Sequence, residues 1–339
     1  MIQDIPDTQR QILLRRYPEG VPETSDFELA QGPVPRPGEG EFLSRTLYLS
    51  LDPYLRGVIS GRHLYAERVQ PGDVMPGRTV AQVVESRHPD FAPGDIAVCS
   101  NGWQEYGLSA GAIDLRKLDP DAAPVSTGIG ILGMPGLTAW AGLLHLGEPM
   151  PGETVLVSAA CGPVGCMVGQ LARIAGCRAV GIAGGPEKCA IVKDEFGFAE
   201  CVDYKTGELG EKLKAACPDG IDVYFDNVGG DVLTAAMANL AQGARVVLCG
   251  MMSGYNNTGP PPPGPSLIPL VMARATVRGL VVYDHEDKQQ DFLRACTRWL
   301  QEGRIRYRED IAEGIEKAPE AFCRLMRGKN VGKALVQFA

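Results

Sequence analysis

The chain has 339 residues, with 33 Lys and Arg against 41 Asp and Glu, which gives a formal net charge of −8 at pH 7. This acidic balance argues against binding to nucleic acid or to an anionic membrane surface, because both need an excess of cations. With 45% hydrophobic and 22% charged residues the chain can bury a large core, and its length predicts about two domains. No apolar run approaches the roughly 18 residues of a membrane span, so we expect a cytoplasmic protein.

The predicted elements change in character near residue 152. Before it, short β-strands bounded by Gly and Pro are predicted at 42–51, 78–86, 95–99 and 104–108. After it, strands at 154–159, 178–183, 200–204, 222–226 and 244–248 alternate with helices at 162–175, 186–196, 208–217 and 231–240. Helices at 287–302 and 315–327 and a strand at 333–338 follow.

Repeated strand–helix units predict a parallel, doubly wound sheet, so the fold class is α/β with a second, β-rich domain. We expect the last strand to pair with the N-terminal sheet, because pairing with an incomplete sheet stabilises a strand that ends a chain. The predicted domains are therefore 1–125 with 305–339, which is β-rich, and 126–304, which binds a dinucleotide.

The dinucleotide prediction depends on residues 154–165, where a hydrophobic strand, a turn of small residues and a helix start follow one another. Gly162 lets the backbone approach a pyrophosphate, and Gly165 lets the helix pack closely on the strand. Pro163 suits the first helical position, where its missing N–H costs nothing. The free amides from Val164 onward point toward an anion. The alternative is an ordinary strand–turn–helix connection, which the unbroken alternating sheet makes less favourable.

The second predicted strand favours NADP(H). An NAD enzyme places Asp or Glu about 20 residues past the fingerprint, whereas strand 178–183 runs into Gly-Gly-Pro-Glu-Lys at 184–188. The strand tip carries no acid, and Lys188 just beyond it suits a 2′-phosphate. We assign the adjacent Glu187 to a solvated helix face. Tyr204, at the end of the third strand, could cover the adenine ribose or be an aromatic residue at the rim.

Zinc is not expected, because the sequence has no C-x-x-C pair and only four histidines. The ten cysteines are scattered and are predicted to be free, buried thiols. Polarisation of a substrate carbonyl must then come from hydrogen-bond donors. Candidates lie in 248–257, after the fifth strand and at the ligand-binding edge of such a sheet. Tyr255 offers a hydroxyl that can stabilise an oxyanion or pass a proton, although it could equally be a loop tyrosine without a role.

Short motifs over nearly the whole chain resemble one family when they are taken in order. They are Leu-Asp-Pro-Tyr-Leu-Arg at 51–56, Gly-Met-Pro-Gly-Leu-Thr-Ala at 133–139, the turn at 159–165, Glu-Lys at 187–188, Phe-Asp-Asn-Val-Gly-Gly at 225–230, the loop at 249–256, Thr-Gly-Pro at 258–260 and Gly-Lys-Asn-Val-Gly-Lys at 328–333. They resemble the zinc-independent branch of the medium-chain dehydrogenase/reductases. Within it, they look like the leukotriene hydroxydehydrogenase and prostaglandin reductase group, with its alkenal and curcumin double-bond reductases.

The resemblance implies a Rossmann-type domain, a mainly β GroES-like catalytic domain and a homodimer. It implies that Tyr255 is catalytic and that Tyr54 forms a second wall of the substrate cleft. The implied cofactor residues are Gly162, Pro163, Val164 and Gly165 at the pyrophosphate, Lys188 and Tyr204 at the 2′-phosphate, Asn227, Cys249, Gly250, Met251 and Tyr255 at the nicotinamide half, and Leu280, Val281, Val282 and Asn330 along the rest of the cleft.

The resulting hypothesis is an NADPH-dependent ene-reductase acting on a small-molecule enal or enone, with neither nucleic acid nor membrane as partner. Hydride goes to the β-carbon while Tyr255 stabilises the enolate oxygen and relays a proton. Three alternatives stay open: an NADPH quinone oxidoreductase, an allylic alcohol dehydrogenase, and an NADPH-binding protein without turnover.

Overall fold

The computed structural model describes residues 5–60, 69–111, 114–260 and 262–338. The strands are β1 (Thr8–Leu14), β2 (Phe27–Pro33), β3 (Phe42–Ser50), β4 (Thr79–Ser86), β5 (Ile96–Cys99), β6 (Tyr106–Ser109), β7 (Arg116–Leu118), β8 (Thr154–Ser158), β9 (Arg178–Ala183), β10 (Glu200–Asp203), β11 (Ile221–Asp226), β12 (Leu240–Leu248), β13 (Thr276–Gly279), β14 (Glu309–Glu313) and β15 (Lys333–Gln337). The α-helices are α1 (Leu55–Val58), α2 (Met134–Trp140), α3 (Pro163–Ile174), α4 (Pro186–Ala190), α5 (Leu209–Ala216), α6 (Gly230–Met237), α7 (Ile268–Ala273), α8 (Gln289–Gln301) and α9 (Ala318–Met326).

The chain divides into two compact units, Met1–Gly130 with Glu309–Ala339, and Ile131–Arg308. The first unit contains a seven-stranded sheet in the order β14-β15-β3-β4-β5-β7, with β6 also paired to β3. Strand β15 runs antiparallel to β3, with Leu335 opposite Ser50, and parallel to β14. The expected pairing of the last strand with the N-terminal sheet is therefore confirmed.

A separate antiparallel pair, β1 and β2, completes the first unit and was not predicted. Its strands bring Ile12 and Leu14 into a core that also contains Phe27, Trp103 and Phe322. The three aromatic rings lie 5.6 to 6.0 Å apart, Phe27 and Trp103 stacked and Phe322 edge-on to both. Such aromatic pairs add to the free energy gained from burial alone. Gln and Arg in β1, and Gly and Pro in β2, concealed these strands in the sequence.

The second unit contains a six-stranded sheet in the order β10-β9-β8-β11-β12-β13, and every pair of neighbours is parallel. Strand β8 is buried along its whole length, as expected where helices cover both faces of a parallel sheet. Helix α3 begins with Pro163 directly after Gly162, and Gly176 follows it with a left-handed φ of 84°. The predicted fold class, a Rossmann-type sheet plus a GroES-like β unit, is confirmed.

Some predicted boundaries in the second unit were wrong. The helix expected to reach residue 240 ends at Met237, because Leu240 already pairs with Ile221 as the start of β12. The strand expected at 244–248 therefore begins earlier, with an irregular register near Gly243 (φ 78°). The predicted helix 186–196 is α4 followed by a wider π-helical turn, Ile191–Glu195. Strand β13 and helix α7 were not predicted.

A buried ion pair ties the last strand to the segment after β3. The Nζ of Lys333 lies 2.8 Å from Oδ1 of Asp52 and donates a second hydrogen bond of 2.8 Å to the Leu51 carbonyl oxygen. The two charged side chains are only 3% and 7% exposed. The Ser50 hydroxyl donates to the other carboxylate oxygen of Asp52. This network fixes the backbone immediately before Tyr54.

We expect Lys333→Met to lower the melting temperature by about 10 °C. Removing one partner of a buried ion pair costs about 3 to 5 kcal/mol of stability, and in a domain of this size each kcal/mol shifts the melting temperature by about 2 to 4 °C. Lys329→Met, at an exposed position of the same unit, is the matched control and should change the melting temperature little. Differential scanning calorimetry measures both. Equal melting temperatures for the two variants would show that the buried pair contributes nothing.

Candidate functional site

The carboxyl ends of the six parallel strands form one edge of the sheet in the second unit. Because the strands are parallel, the residues that follow them meet at this edge, and ligands bind there in doubly wound folds. In sheet order, the predicted site residues are Tyr204 after β10, Lys188 after β9, Gly162 to Gly165 after β8, Asn227 after β11, Cys249, Gly250, Met251 and Tyr255 after β12, and Leu280, Val281 and Val282 after β13. The structure thus brings the predicted residues of this unit to a single edge.

The turn between β8 and α3 is tight and built from small residues. Ala159 adopts a left-handed φ of 53°, an unfavourable conformation for a residue with a Cβ. A Cβ at Gly165 would clash with the carbonyl oxygen of Ala159 and lie 2.7 Å from Cα of Ala160. The absence of that Cβ therefore lets α3 pack on the turn. The first turn of α3 carries no acidic residue, so the positive end of the helix is available to an anion.

A buried carboxylate holds the turn after β11. Oδ1 of Asp226 accepts hydrogen bonds from the hydroxyls of Ser158 (3.0 Å) and Tyr224 (2.7 Å) and from the backbone N–H of Val228 (3.0 Å). The N–H of Gly229 lies 3.1 Å from both carboxylate oxygens. Asp226 is fully buried. Burial, together with the neighbouring carboxylate, raises the pKa of Tyr224 well above its usual range, so this hydroxyl stays a donor.

Ser158 and the backbone of Asp226 extend this network to the neighbouring loops. Asn227 donates from its backbone N–H to the Ser158 hydroxyl and from its side-chain Nδ2 to the Ser158 carbonyl oxygen, each at 2.8 Å. The carbonyl oxygen of Asp226 accepts from the N–H groups of Cys249 (2.8 Å) and Gly250 (3.1 Å). The ends of β8, β11 and β12 are therefore joined through one hydrogen-bond network.

The loop after β12 packs on the turn after β11. Ser253 donates to the Val228 carbonyl oxygen from its backbone N–H (3.0 Å) and from its hydroxyl (2.7 Å). Gly229 has a left-handed φ of 72°, which favours glycine, and the Met251 side chain packs over it, since a Cβ there would lie 2.6 Å from the Met251 sulfur. Tyr255, half-buried, follows directly on this anchored segment.

Cys249 contributes its backbone, and its thiol is not a nucleophile. Burial, with a further effect from the Asp226 carboxylate, raises the pKa of the Cys249 thiol to about 12. Because the thiolate is the reactive form of cysteine, this side chain stays protonated and unreactive near neutral pH.

Two predicted site residues, Tyr54 and Asn330, belong to the first unit. Tyr54 immediately precedes α1, and it packs against the core that contains Trp103. Asn330 donates from Nδ2 to the Gly332 carbonyl oxygen at 2.8 Å. Arg56, from the same sequence motif as Tyr54, is buried and donates to the carbonyl oxygens of the loop at 18–20, and desolvation lowers its pKa. Arg56 is therefore a structural residue.

Within the described ranges, no group of three or more His, Cys, Asp or Glu side chains could hold a metal ion. Among the helices in those ranges, none combines the length and the apolar character needed to cross a membrane.

Sequence reasoning missed the roles of Ser158, Tyr224 and Asp226. The available clue was a polar residue at the end of a buried strand, since Ser158 ends β8 and Asp226 ends β11. Their contact joins residues 68 positions apart, so only the pairing of β8 with β11 reveals it.

Two family models match the chain: "N-terminal domain of oxidoreductase" over residues 10–117 and "Zinc-binding dehydrogenase" over residues 163–298. With the fold described above, they place the protein among the medium-chain dehydrogenase/reductases. The chain belongs, more narrowly, to the group of prostaglandin, alkenal and curcumin reductases, since it is 45% identical over 336 residues to the NADPH-dependent curcumin reductase of Escherichia coli, with 97% of each chain covered. The group that its motifs resembled is therefore confirmed.

Two further comparisons agree with this assignment. The chain is 42% identical over 332 residues to prostaglandin reductase 1 of Bos taurus, covering 96% of this chain and 97% of that protein. The crystal structure of CurA in complex with NADPH from Vibrio vulnificus matches with a TM-score of 0.92 and 44% identity, over 97% of this chain and 99% of the other.

We expect Gly165→Ala to destabilise the protein by about 1 to 3 kcal/mol and to weaken NADPH binding, because the added Cβ pushes α3 off the turn that precedes it. Gly210→Ala is the control, since a Cβ at this helical position meets nothing within 4 Å and alanine favours a helix. Thermal unfolding and NADPH fluorescence titration measure the two effects. Unchanged NADPH affinity in Gly165→Ala would argue against a role of this turn in cofactor binding.

Proposed function

We propose that the protein is an NADPH-dependent ene-reductase that reduces the C=C bond of α,β-unsaturated aldehydes and ketones. The observation that carries this proposal is the single sheet edge on which a tight turn at a helix start, a lysine and a tyrosine loop follow β8, β9 and β12. The relatives named as curcumin and prostaglandin reductases, and the neighbour solved with NADPH, support the same activity.

The residues at this edge fit a dinucleotide phosphate. The amides of Val164 and Gly165 would hold the pyrophosphate, since amides in the first turn of a helix have no partner within it and the first turn of α3 carries no acid. Lys188 and Tyr204 would take the 2′-phosphate end. Asn227 and the segment 249–251 would hold the nicotinamide half, with Leu280 to Val282 beside them after β13. Asn330, from the first unit, would add a further contact.

When bound, NADPH supplies the hydride that adds to the substrate's β-carbon. The protein's contribution is to orient the reactants and to stabilise charge. As hydride arrives, negative charge builds up on the carbonyl oxygen, and the Tyr255 hydroxyl would donate a hydrogen bond to that oxygen. It would also pass a proton toward the α-carbon through the enol form. Tyr54 would provide an apolar wall with a polar tip, typical of a site for a flat, conjugated substrate.

Tyr255→Phe should lower kcat for a 2-alkenal about 100-fold, because it removes the only donor assigned to the developing oxyanion. The Kd for NADPH should change less than about twofold, since binding before chemistry does not use this hydroxyl. Stopped-flow NADPH oxidation at 340 nm gives kcat, and fluorescence titration gives Kd. Tyr106→Phe, in β6 of the first unit, is the matched control. Full turnover in Tyr255→Phe would remove this tyrosine from the mechanism.

The same assay tests the reaction class when it is run with 2-alkenals, a curcumin-like dienone and quinones. Reduction of enals and enones ahead of quinones is the expected order. Preference for quinones would replace the proposed function by quinone reduction, and tight NADPH binding without oxidation of NADPH by any of these substrates would replace it by cofactor binding alone.

We also propose that the protein is a homodimer. Helix α7 exposes Ile268, Val271 and Met272 at 69 to 74%, far more than a monomer normally leaves in water. Strand β13 lies at the edge of the sheet, and all its residues are exposed. A two-fold axis beside β13 would pair this strand with its own copy and cover both apolar surfaces at once.

We expect the wild-type protein to sediment at twice the chain mass and the double variant Ile268→Glu/Val271→Glu at the chain mass, because two buried charges per subunit oppose association. Leu29→Glu is the control, since Leu29 is also exposed (49%) but lies in β2 of the first unit. Analytical ultracentrifugation distinguishes the two states. A monomeric wild type, or a variant that stays dimeric, would rule out this interface.

A cytoplasmic location is part of the same proposal. All ten cysteines are free thiols, and most of them are buried. Free thiols in this number are typical of proteins in a reducing compartment.

A further inference from the structure

The turn between β9 and α4 is held by a carboxylate from the neighbouring strand. Oδ1 of Asp203, the last residue of β10, accepts hydrogen bonds from the backbone N–H of Gly185 (2.9 Å) and of Lys205 (3.0 Å). These two bonds lower the pKa of Asp203, so the carboxylate is ionised at neutral pH. Oδ1 of Asp203, an acid beside the proposed 2′-phosphate site, is therefore occupied by the backbone.

Two side chains converge over this turn. A Cβ built at Gly184 would lie 2.8 Å from Cε1 and 3.1 Å from the hydroxyl oxygen of Tyr204, and 3.0 Å from Cε of Lys205. The end of the Lys205 side chain therefore lies beside the phenol of Tyr204, at the tip of β9. Within the described ranges, no carboxylate oxygen lies within ion-pair distance of the Lys205 ammonium, and Lys205 is exposed.

The neighbouring lysine behaves differently. Lys212 donates from Nζ to the hydroxyl (2.6 Å) and carbonyl oxygen (3.0 Å) of Thr206 and to the Gly207 carbonyl oxygen (2.7 Å). Thr206 in turn donates to the Asp203 carbonyl oxygen at 2.9 Å. Lys212 thus stabilises the backbone after Lys205, and Lys205 itself is directed to the strand tip.

We propose that Lys205 is a second cation, beside Lys188, that selects a nucleotide carrying a 2′-phosphate, and that Asp203 is the residue that positions it. This inference rests on the proposed function, because it assumes that the adenosine half of NADPH lies at this end of the edge. A phosphate dianion favours more than one cation, and a hydrogen bond from a charged donor is stronger than one from a neutral donor. The same oxygen of Asp203 accepts from the backbone N–H groups of Gly185 and Lys205. It therefore fixes the distance between the turn after β9 and the backbone of Lys205.

The test uses 2′,5′-ADP and 5′-AMP, two ligands that differ only in the 2′-phosphate, with binding to the intact protein followed by isothermal titration calorimetry. In Lys205→Met, the affinity for 2′,5′-ADP should fall about tenfold, equivalent to about 1.4 kcal/mol, while that for 5′-AMP stays unchanged. Lys214→Met, which removes an exposed lysine from α5, is the matched control and should leave both affinities unchanged.

The positioning role of Asp203 is tested by two substitutions. Asp203→Asn keeps a side-chain oxygen that accepts both N–H groups and removes a negative charge, so it should bind 2′,5′-ADP at least as tightly as wild type. Asp203→Ala frees the turn and should weaken 2′,5′-ADP binding several-fold without a matching loss for 5′-AMP. Wild-type affinity in Asp203→Ala would overturn the positioning role.

The outcomes separate this inference from the proposed function. If wild-type protein prefers 2′,5′-ADP and Lys188→Met abolishes that preference while Lys205→Met does not change it, the role of Lys205 is overturned and the NADPH assignment stands. If wild-type protein binds the two nucleotides equally, both the inference and the NADPH preference are overturned.

Discussion

A carboxylate buried away from water needs several hydrogen-bond donors, because the cost of stripping its hydration amounts to several kcal/mol. Asp226 meets this requirement with donors from three places: the Ser158 hydroxyl at the end of β8, the Tyr224 hydroxyl within β11, and the amides of Val228 and Gly229 in the turn that follows. Loss of the carboxylate would leave all these groups without their acceptor at once. The backbone conformation at this edge of the sheet therefore depends on the hydrogen bonds that the buried carboxylate accepts, as well as on the packing of apolar side chains.

A second carboxylate accepts backbone hydrogen bonds in the same way near β9 and β10. Asp203 accepts from two backbone amides near the tip of β9, as Asp226 does after β11. Asp226 bonds to the backbone of the turn that follows it, and Asp203 bonds to the backbone after its own strand and to the turn after β9. The groups left to interact with a ligand are therefore amides, hydroxyls and lysines, which suits an anionic dinucleotide. An acidic chain, with a net charge of −8, can bind such a ligand because its charge is arranged locally.

The sequence was most informative where chemistry is local. Strand β8 and the turn through Gly165 were predictable because a continuous apolar run, small residues and Pro163 each favour the same conformation. Strand β13 was not predictable, since it is short, fully exposed and polar in part, and its place depends on the edge that β12 presents. The end of α6 was misplaced because Leu240 suits a helix by propensity, whereas pairing with Ile221 makes it a strand.

The site residues also divide into those with a local signal in the sequence and those that depend on strand pairing. Lys188 and Tyr204 could be proposed because each follows a recognisable strand, and Asn227 because the motif at 225–230 resembles that of the family. Ser158 and Asp226 could not be paired, since the bond between them depends on the register of β8 against β11.

The network around Asp226 also holds the proposed nicotinamide site and the proposed proton donor in a fixed relative position. Asn227 is held through Ser158, and the segment that leads to Tyr255 is held through Cys249, Gly250 and Ser253 on the same turn. Hydride transfer needs reacting atoms within about 3 to 3.5 Å and fails steeply with misplacement. The nearby Cys249 thiol is protonated and unreactive. Rate enhancement must therefore come from the positioning of the reacting atoms and from stabilisation of the developing charge. Because one hydrogen-bond network around Asp226 orders both loops, the residue proposed to orient the cofactor and the residue proposed to donate to the substrate are attached to a single rigid base.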